Sequence, residues 1–189
     1  MEAIPTSTAL VAVAEIGDKT QLLAVVLAAR FRKPTPIILG ILAATLLNHA
    51  VAAAFGYLIA QWLTGRTFQI VLGLAFVAMA AWALIPDKED EGARNRSPRG
   101  IFLTTLIAFF CVEIGDKTQI ATSLLAAQFH NIELVTVGTT IGMMLANVPA
   151  VLLGEAVTRI VPLKYVRIAA ALIFALIGLS IVVAALVKS

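Results

Sequence analysis

Glu15, Asp18 and Lys19 are three ionisable side chains packed into an otherwise apolar stretch. The string around them, Glu15-Ile16-Gly17-Asp18-Lys19-Thr20-Gln21, returns letter for letter as Glu113-Ile114-Gly115-Asp116-Lys117-Thr118-Gln119. Each copy holds two acids against one lysine, so each carries surplus negative charge. Carboxylate oxygens in such a surplus are ligands for hard or borderline divalent ions such as Ca²⁺ and Mn²⁺. With one cysteine and two histidines in the whole chain, no Cys/His cluster of the zinc or copper kind can be assembled.

The metal-ligand candidates are therefore Glu15, Asp18, Glu113 and Asp116. On a regular helix Glu15, Asp18, Lys19 and Leu22 share one face, as do Glu113, Asp116, Lys117 and Ile120. Gln21 and Gln119 stand close to that face and are the better second-rank ligands, while Thr20 and Thr118 point elsewhere on a regular helix. Gly17 and Gly115 allow local unwinding, which would add backbone carbonyls. A divalent cation and protons would compete for the same crowded oxygens, the physical requirement for exchange of one against the other. Lys19 and Lys117 would relieve repulsion in the empty site or pair with an acid in one state. A salt-bridge lock holding helices together is the bland alternative, and it has no use for the surplus acids.

The elements that must position these groups are read from hydropathy. The chain of 189 residues is 60% hydrophobic and only 13% charged, against about 25% charged in ordinary soluble domains. So small an interior cannot hold so many apolar side chains, and they must face lipid. Six helices are predicted, over residues 5–29, 36–62, 67–85, 101–129, 134–157 and 165–187, each long enough to cross a hydrocarbon core of about 30 Å. An ionisable group at mid-membrane costs roughly 3 kcal/mol on insertion scales, so the six in the motifs must face the bundle interior or a hydrated cavity. The net charge of +3 reflects loop lysines and arginines rather than a nucleic-acid surface. The one cysteine, Cys111, reads as a small hydrophobe. The N-terminal region lacks a basic n-region, so no cleaved signal peptide is expected.

A polar linker at 86–100 divides the chain into a first repeat, 1–85, and a second, 101–189. At the 98-residue offset between Glu15 and Glu113, Gly40 meets Gly138, Gly56 meets Gly154, and Phe76 meets Phe174. Three helices per repeat is an odd number, so the second repeat enters the membrane upside down relative to the first. The expected fold is thus an all-α polytopic membrane protein, six transmembrane helices as two inverted three-helix repeats, with the two motifs facing each other near the midplane. Ten lysines and arginines fall on one face of this arrangement and two on the other. That bias puts the linker in the cytoplasm and both termini outside it, in a bacterial inner membrane.

Small residues spaced by four, Gly40 and Ala44, then Gly138, Gly142 and Ala146, would let the second and fifth helices approach the motif helices closely. His49 aligns with Asn147 at the repeat offset, one intramembrane polar side chain per repeat. Both suit helix–helix hydrogen bonds, support of the carboxylates, or, for His49, proton relay. Glu155 and Arg159 are spaced for a pair at a helix end.

The doubled Glu-x-Gly-Asp-Lys/Arg-Thr/Ser pattern in a six-helix chain resembles a family of cation/proton exchangers. Its members include Golgi and chloroplast manganese/calcium transporters and bacterial manganese exporters. Both copies fit without departure, and the resemblance covers nearly the whole chain. It implies proton-coupled exchange of Mn²⁺ and Ca²⁺, functional acids at Glu15, Asp18, Glu113 and Asp116, and, for a short chain like this one, manganese efflux. The expected partners are a divalent metal ion as substrate and the bilayer, with no nucleic acid and no resident cofactor; the oligomeric state is not set by the sequence. Two rival readings are an exporter of a cationic amino acid such as lysine, whose place Lys19 and Lys117 already fill, and an intramembrane aspartyl protease. The second would need a Gly-x-Gly-Asp context that Glu15 and Glu113 interrupt.

Overall fold

The computed structural model describes residues 2–63, 65–85, 100–154 and 163–187. The predicted linker, apart from Gly100, and the Glu155–Arg159 pair lie outside the described residues. Within them the chain is helical and has no strand. The helices are α1 (Ala3–Glu15), α2 (Lys19–Phe31), α3 (Pro34–Trp62), α4 (Gly65–Ala83), α5 (Ile101–Glu113), α6 (Lys117–Phe129), α7 (Ile132–Leu153) and α8 (Leu163–Val187). Four are long and apolar enough to cross a membrane: Pro34–Trp62, Gly65–Ala83, Ile132–Leu153 and, within α8, Lys164–Val187.

The structure departs from the sequence reading at the first and fourth predicted helices, which are not continuous. Each is broken at its motif into two helices of 13 residues, about 20 Å apiece and too short to cross alone. The cause is local. Ile16 has φ −63° and ψ 119°, Gly17 has φ 78°, and the amide of Asp18 donates to the Glu15 carbonyl at 3.0 Å. These values describe a type II β-turn, which requires positive φ at its third residue and so selects glycine. The second copy repeats it, with Ile114 at −61° and 120°, Gly115 at φ 76° and Asp116 donating to Glu113 at 3.1 Å.

The next helix starts at once, with Asp18 and Asp116 at the N-cap positions, where the Asp116 side chain accepts from the Thr118 amide at 3.4 Å. Three residues on, Gln21 Oε1 accepts from the Gly17 amide at 2.8 Å and Gln119 Oε1 from the Gly115 amide at 2.7 Å. An N-cap aspartate followed at N3 by a glutamine that reaches back is a variant of the capping box. Gln21 also donates to the Ala146 carbonyl at 3.0 Å, tying the first break to α7.

Packing crosses between the repeats. α1 lies along α7, α3 along α5 and α6, and α4 along α8. The small residues singled out in the sequence make these contacts close. A methyl group on Gly40 would stand 2.8 Å from the Phe102 carbonyl of α5; on Gly138 it would stand 2.8 Å from the Ile4 carbonyl of α1. Ile4 and Phe102 are again 98 residues apart. Phe76 and Phe174, mates at that offset, meet with ring centroids 6.4 Å apart where α4 crosses α8. The first and second repeats are thus units of sequence that interdigitate in space, and their packing is that of a two-fold exchange.

Two apolar clusters sandwich the breaks. One joins α1 and α6 to α4 and α8, through residues such as Leu10, Leu125, Phe76 and Phe174. The other joins α2, α3, α5 and α7 through Leu23, Ile41, Phe109 and Val151. The outward faces of α4 and α8 expose Leu74, Leu172, Leu176 and Leu179, as a lipid-facing surface does.

Two glycine substitutions should separate conformational from steric cost. A Cβ on Gly115 meets nothing within 4 Å, so Gly115→Ala should cost only the left-handed backbone penalty, about 1 kcal/mol. A Cβ on Gly56 falls 1.9 Å from the Ser123 carbonyl of α6, so Gly56→Ala must push α3 from α6 at about 3 kcal/mol. Thermal unfolding in detergent should rank them wild type, then Gly115→Ala, then Gly56→Ala. The reverse order of the variants would contradict the helix approach described.

Candidate metal centre

The breaks bring the acids together by ending and starting helices, not by a shared helical face. Glu15 closes α1 and Asp18 opens α2; Glu113 closes α5 and Asp116 opens α6. All four are buried, Glu15 and Glu113 completely. Glu15, Asp18 and Asp116 each offer a carboxylate oxygen such that the three lie within 4.8 Å of one another. Two come from the first repeat and one from the second, the mixed composition that facing motifs require. Glu113 stands outside this trio, with Oε2 3.9 Å from His49 Nε2.

The threonines are closer to the acids than a regular helix would put them. Thr20 Oγ1 donates to Glu15 Oε1 and lies 3.5 Å from Asp18 Oδ2. Thr118 Oγ1 lies 3.2 Å from Asp116 Oδ2 and 3.5 Å from Glu113 Oε2. The turn reverses the order expected from helical spacing: each threonine at N2 faces both acids of its motif, while each glutamine is turned back onto the turn's own backbone. The sequence carried the signal for this, since Gly-Asp-x-x-Gln reads as turn, N-cap and N3 partner.

Lys19 and Lys117 are identical in sequence context but not in setting. Lys19 Nζ lies 3.1 Å from Asp116 Oδ1, an ion pair that crosses from one repeat to the other. Lys117 Nζ donates to the Ile85 carbonyl beyond the end of α4 at 2.8 Å. Lys117 and Asp18 also line one small cleft, together with Gly17, Ala83 and, from the first turns of α8, Val166, Arg167 and Ala170. His49 and Asn147 are both completely buried. Asn147 donates to Met143 in its own helix, to the carbonyl at 3.1 Å and to Sδ at 3.0 Å.

Carboxylate oxygens from two broken helices, with threonine hydroxyls beside them and a lysine on one acid, make an oxygen-rich cluster that could hold a cation. The helix ends add to this: the last carbonyls of α1 and α5 lack intrahelical partners and carry partial negative charge.

Comparison with known proteins agrees with this chemistry. The family described as divalent cation/proton antiporter GDT1 matches the chain twice, over residues 3–91 and 101–189. A Vibrio cholerae serotype O1 protein named "Putative manganese exporter" is 51% identical over 181 residues, covering 95% of this chain and 90% of that protein. A Synechocystis protein named GDT1-like is 29% identical over 186 residues, covering 87% and 89%. No solved structure matches the chain. With the family pattern present in both repeats and across nearly the whole length, this chain is a multi-pass membrane protein, a transporter rather than an enzyme, and belongs to the GDT1 family of divalent cation/proton antiporters.

Proposed function

We propose that the chain exports Mn²⁺ from the cytoplasm in exchange for protons, with Ca²⁺ as a second substrate. The observation that carries this reading is the trio Glu15, Asp18 and Asp116, three buried carboxylates drawn from both repeats to within 4.8 Å. Glu113 completes the acid set beside them. Oxygen ligands of this kind suit both ions, and manganese is favoured by the name of the Vibrio relative. Protons and the metal compete for the same oxygens, so loading one releases the other. Lys19 holds Asp116 while no metal is bound, and an arriving cation takes over that charge. A substrate lysine would find its position next to Asp116 already taken, which disfavours a cationic amino-acid exporter.

In this reading each pair of half-helices, α1 with α2 and α5 with α6, makes one crossing. Added to the four long helices, that gives six crossings in two inverted repeats. The exchange pattern of the packing and the twofold family match support it. The excess of basic residues then puts the end of α4 and the start of α8 at the cytoplasm, with the termini outside. The cleft reaching Asp18 and Lys117 opens between those two ends, so the site is loaded from the cytoplasmic side, as export requires.

Purified protein in liposomes should take up Mn²⁺ against an opposing proton gradient, and collapsing the gradient should slow uptake severalfold. Glu15→Gln and Asp116→Asn should each cut flux at least tenfold while keeping the wild-type elution profile; flux at wild-type levels in both would sink the site. For topology, a cysteine at Arg66, introduced with Cys111→Ser, should react with an impermeant maleimide on intact cells. A cysteine at Ser97 in the linker should react only after permeabilisation, and the opposite pattern would reverse the direction argued here.

A further inference from the structure

His49 is a strongly polar residue at the site that the exchange reading leaves without a task. It lies in the middle of α3, completely buried, and neither ring nitrogen has a hydrogen-bond partner among the described residues. Its Nε2 is 3.9 Å from Glu113 Oε2, while Glu113 Oε1 is likewise buried without a partner. Buried polar atoms are paired in the great majority of cases, so two facing side chains that both keep unsatisfied atoms, His49 at Nε2 and Glu113 at Oε1, call for a ligand.

The distance is informative. At 3.9 Å the two atoms are too far apart for a hydrogen bond. They are within the span of two metal–ligand bonds of about 2.1 Å each. An imidazolium–carboxylate pair would bring the groups together too, but would bury a second charged N–H at Nδ1 with no acceptor. The repeat offers a built-in comparison, because the mate of His49 is Asn147, whose free buried atom is the carbonyl oxygen Oδ1. One repeat therefore presents a nitrogen at this position and the other an oxygen.

We propose that His49 is a metal ligand acting with Glu113, a second station joined through Thr118 to the three-carboxylate cluster, and that its nitrogen selects manganese-type ions over calcium. Thr118 Oγ1 sits between the two stations, 3.5 Å from Glu113 Oε2 and 3.2 Å from Asp116 Oδ2. Imidazole nitrogen is a good ligand for transition metals, whereas Ca²⁺ takes oxygen ligands almost exclusively. A site of carboxylates alone ranks the two ions poorly. One nitrogen is the smallest change that separates them. The inference rests on the transport reading above and adds to it the residue that sets ion preference.

Two readouts test it. Pulsed EPR on the detergent-solubilised protein loaded with Mn²⁺ should show nitrogen hyperfine coupling, retained in His130→Gln and lost in His49→Asn. In liposomes, His49→Asn gives the second station the donor that Asn147 already supplies in the other repeat. It should raise the half-saturating Mn²⁺ concentration about tenfold and leave the Ca²⁺ inhibition constant within about twofold; His49→Gln serves if the asparagine variant misfolds. Absence of nitrogen coupling in the wild type, its survival in His49→Asn, or equal loss for both ions would overturn the assignment. Wild-type liposomes that carry no Mn²⁺ would instead overturn the transport reading itself.

Discussion

A carboxylate inside a membrane can be kept only where something other than lipid faces it, and this fold is arranged around that constraint. Four acids are buried where the two apolar clusters meet the helix breaks. An unbroken helix would present them as a stripe on one face and seal its backbone groups in its own ladder. Breaking the helix does two things at once. It sets the acids at helix ends, where Asp18 and Asp116 meet the positive N-terminal dipoles of α2 and α6. It also leaves the last carbonyls of α1 and α5 outside the helical ladder, where those of Glu15 and Glu113 accept from the turn amides of Asp18 and Asp116. Non-helical backbone at membrane depth is tolerated only against protein or a hydrated cavity; α7 meets the first break through the Gln21–Ala146 hydrogen bond, while Ile114 and Gly115 of the second are exposed. Gly40, Gly56, Gly138 and Gly142 let α3 and α7 approach α5, α6 and α1 closely.

Much of this was legible in the residues. The exact repeat, the surplus acids, the small-residue stripes and the pairing of the halves all follow from spacing and charge. The broken helices were missed for a physical reason. Hydropathy averages over a window longer than a four-residue turn, so residues 5–29 read as one apolar run although Gly17 interrupts it. The periodicity argument then assigned faces that do not exist across the break, which demoted Thr20 and promoted Gln21. The corrective signal was local rather than periodic: glycine at the one turn position needing positive φ, then aspartate and glutamine at cap spacing. The separation of Glu113 from the other acids was not legible at all. It depends on how α5 and α6 seat against α3, and nothing in two identical heptapeptides distinguishes them.

Identical motifs in unlike settings are the structural fact that most needs a cause. Lys19 reaches across to Asp116 while Lys117 bonds the Ile85 carbonyl; Glu15 joins the trio while Glu113 faces His49. The packing is unequal in the same sense. α8 leans on α1 and α4 on α6, whereas the exchanged pairs, α4 with α5 and α8 with α2, make little contact. Both favoured partners, α1 and α6, belong to the cluster that holds α4 and α8; both neglected ones, α2 and α5, belong to the other. The α4–α8 pair therefore packs on one half of each broken helix more than on the other, and the cleft at Asp18 lies beside the end of α4 and the first turns of α8.

Were the repeats inverted as proposed, that inequality would supply a mechanism. If two half-sequences can each occupy either setting, exchanging the settings produces a second conformation of nearly equal energy with the cleft on the opposite side. The Phe76–Phe174 contact is the place such a rocking would pivot, because each ring meets its own mate and the contact is preserved when the repeats trade roles. In such an exchange the acids would keep their place between the two apolar clusters. What moves is the apolar cover on either side, whose packing against α1 and α6 can be traded for packing against α2 and α5. Residues that differ between the repeats, His49 against Asn147 and Arg167 against Gln69, are then the ones that keep the two states from being equivalent. Without that inequality, a site identical from both sides would bind its ion equally well from either.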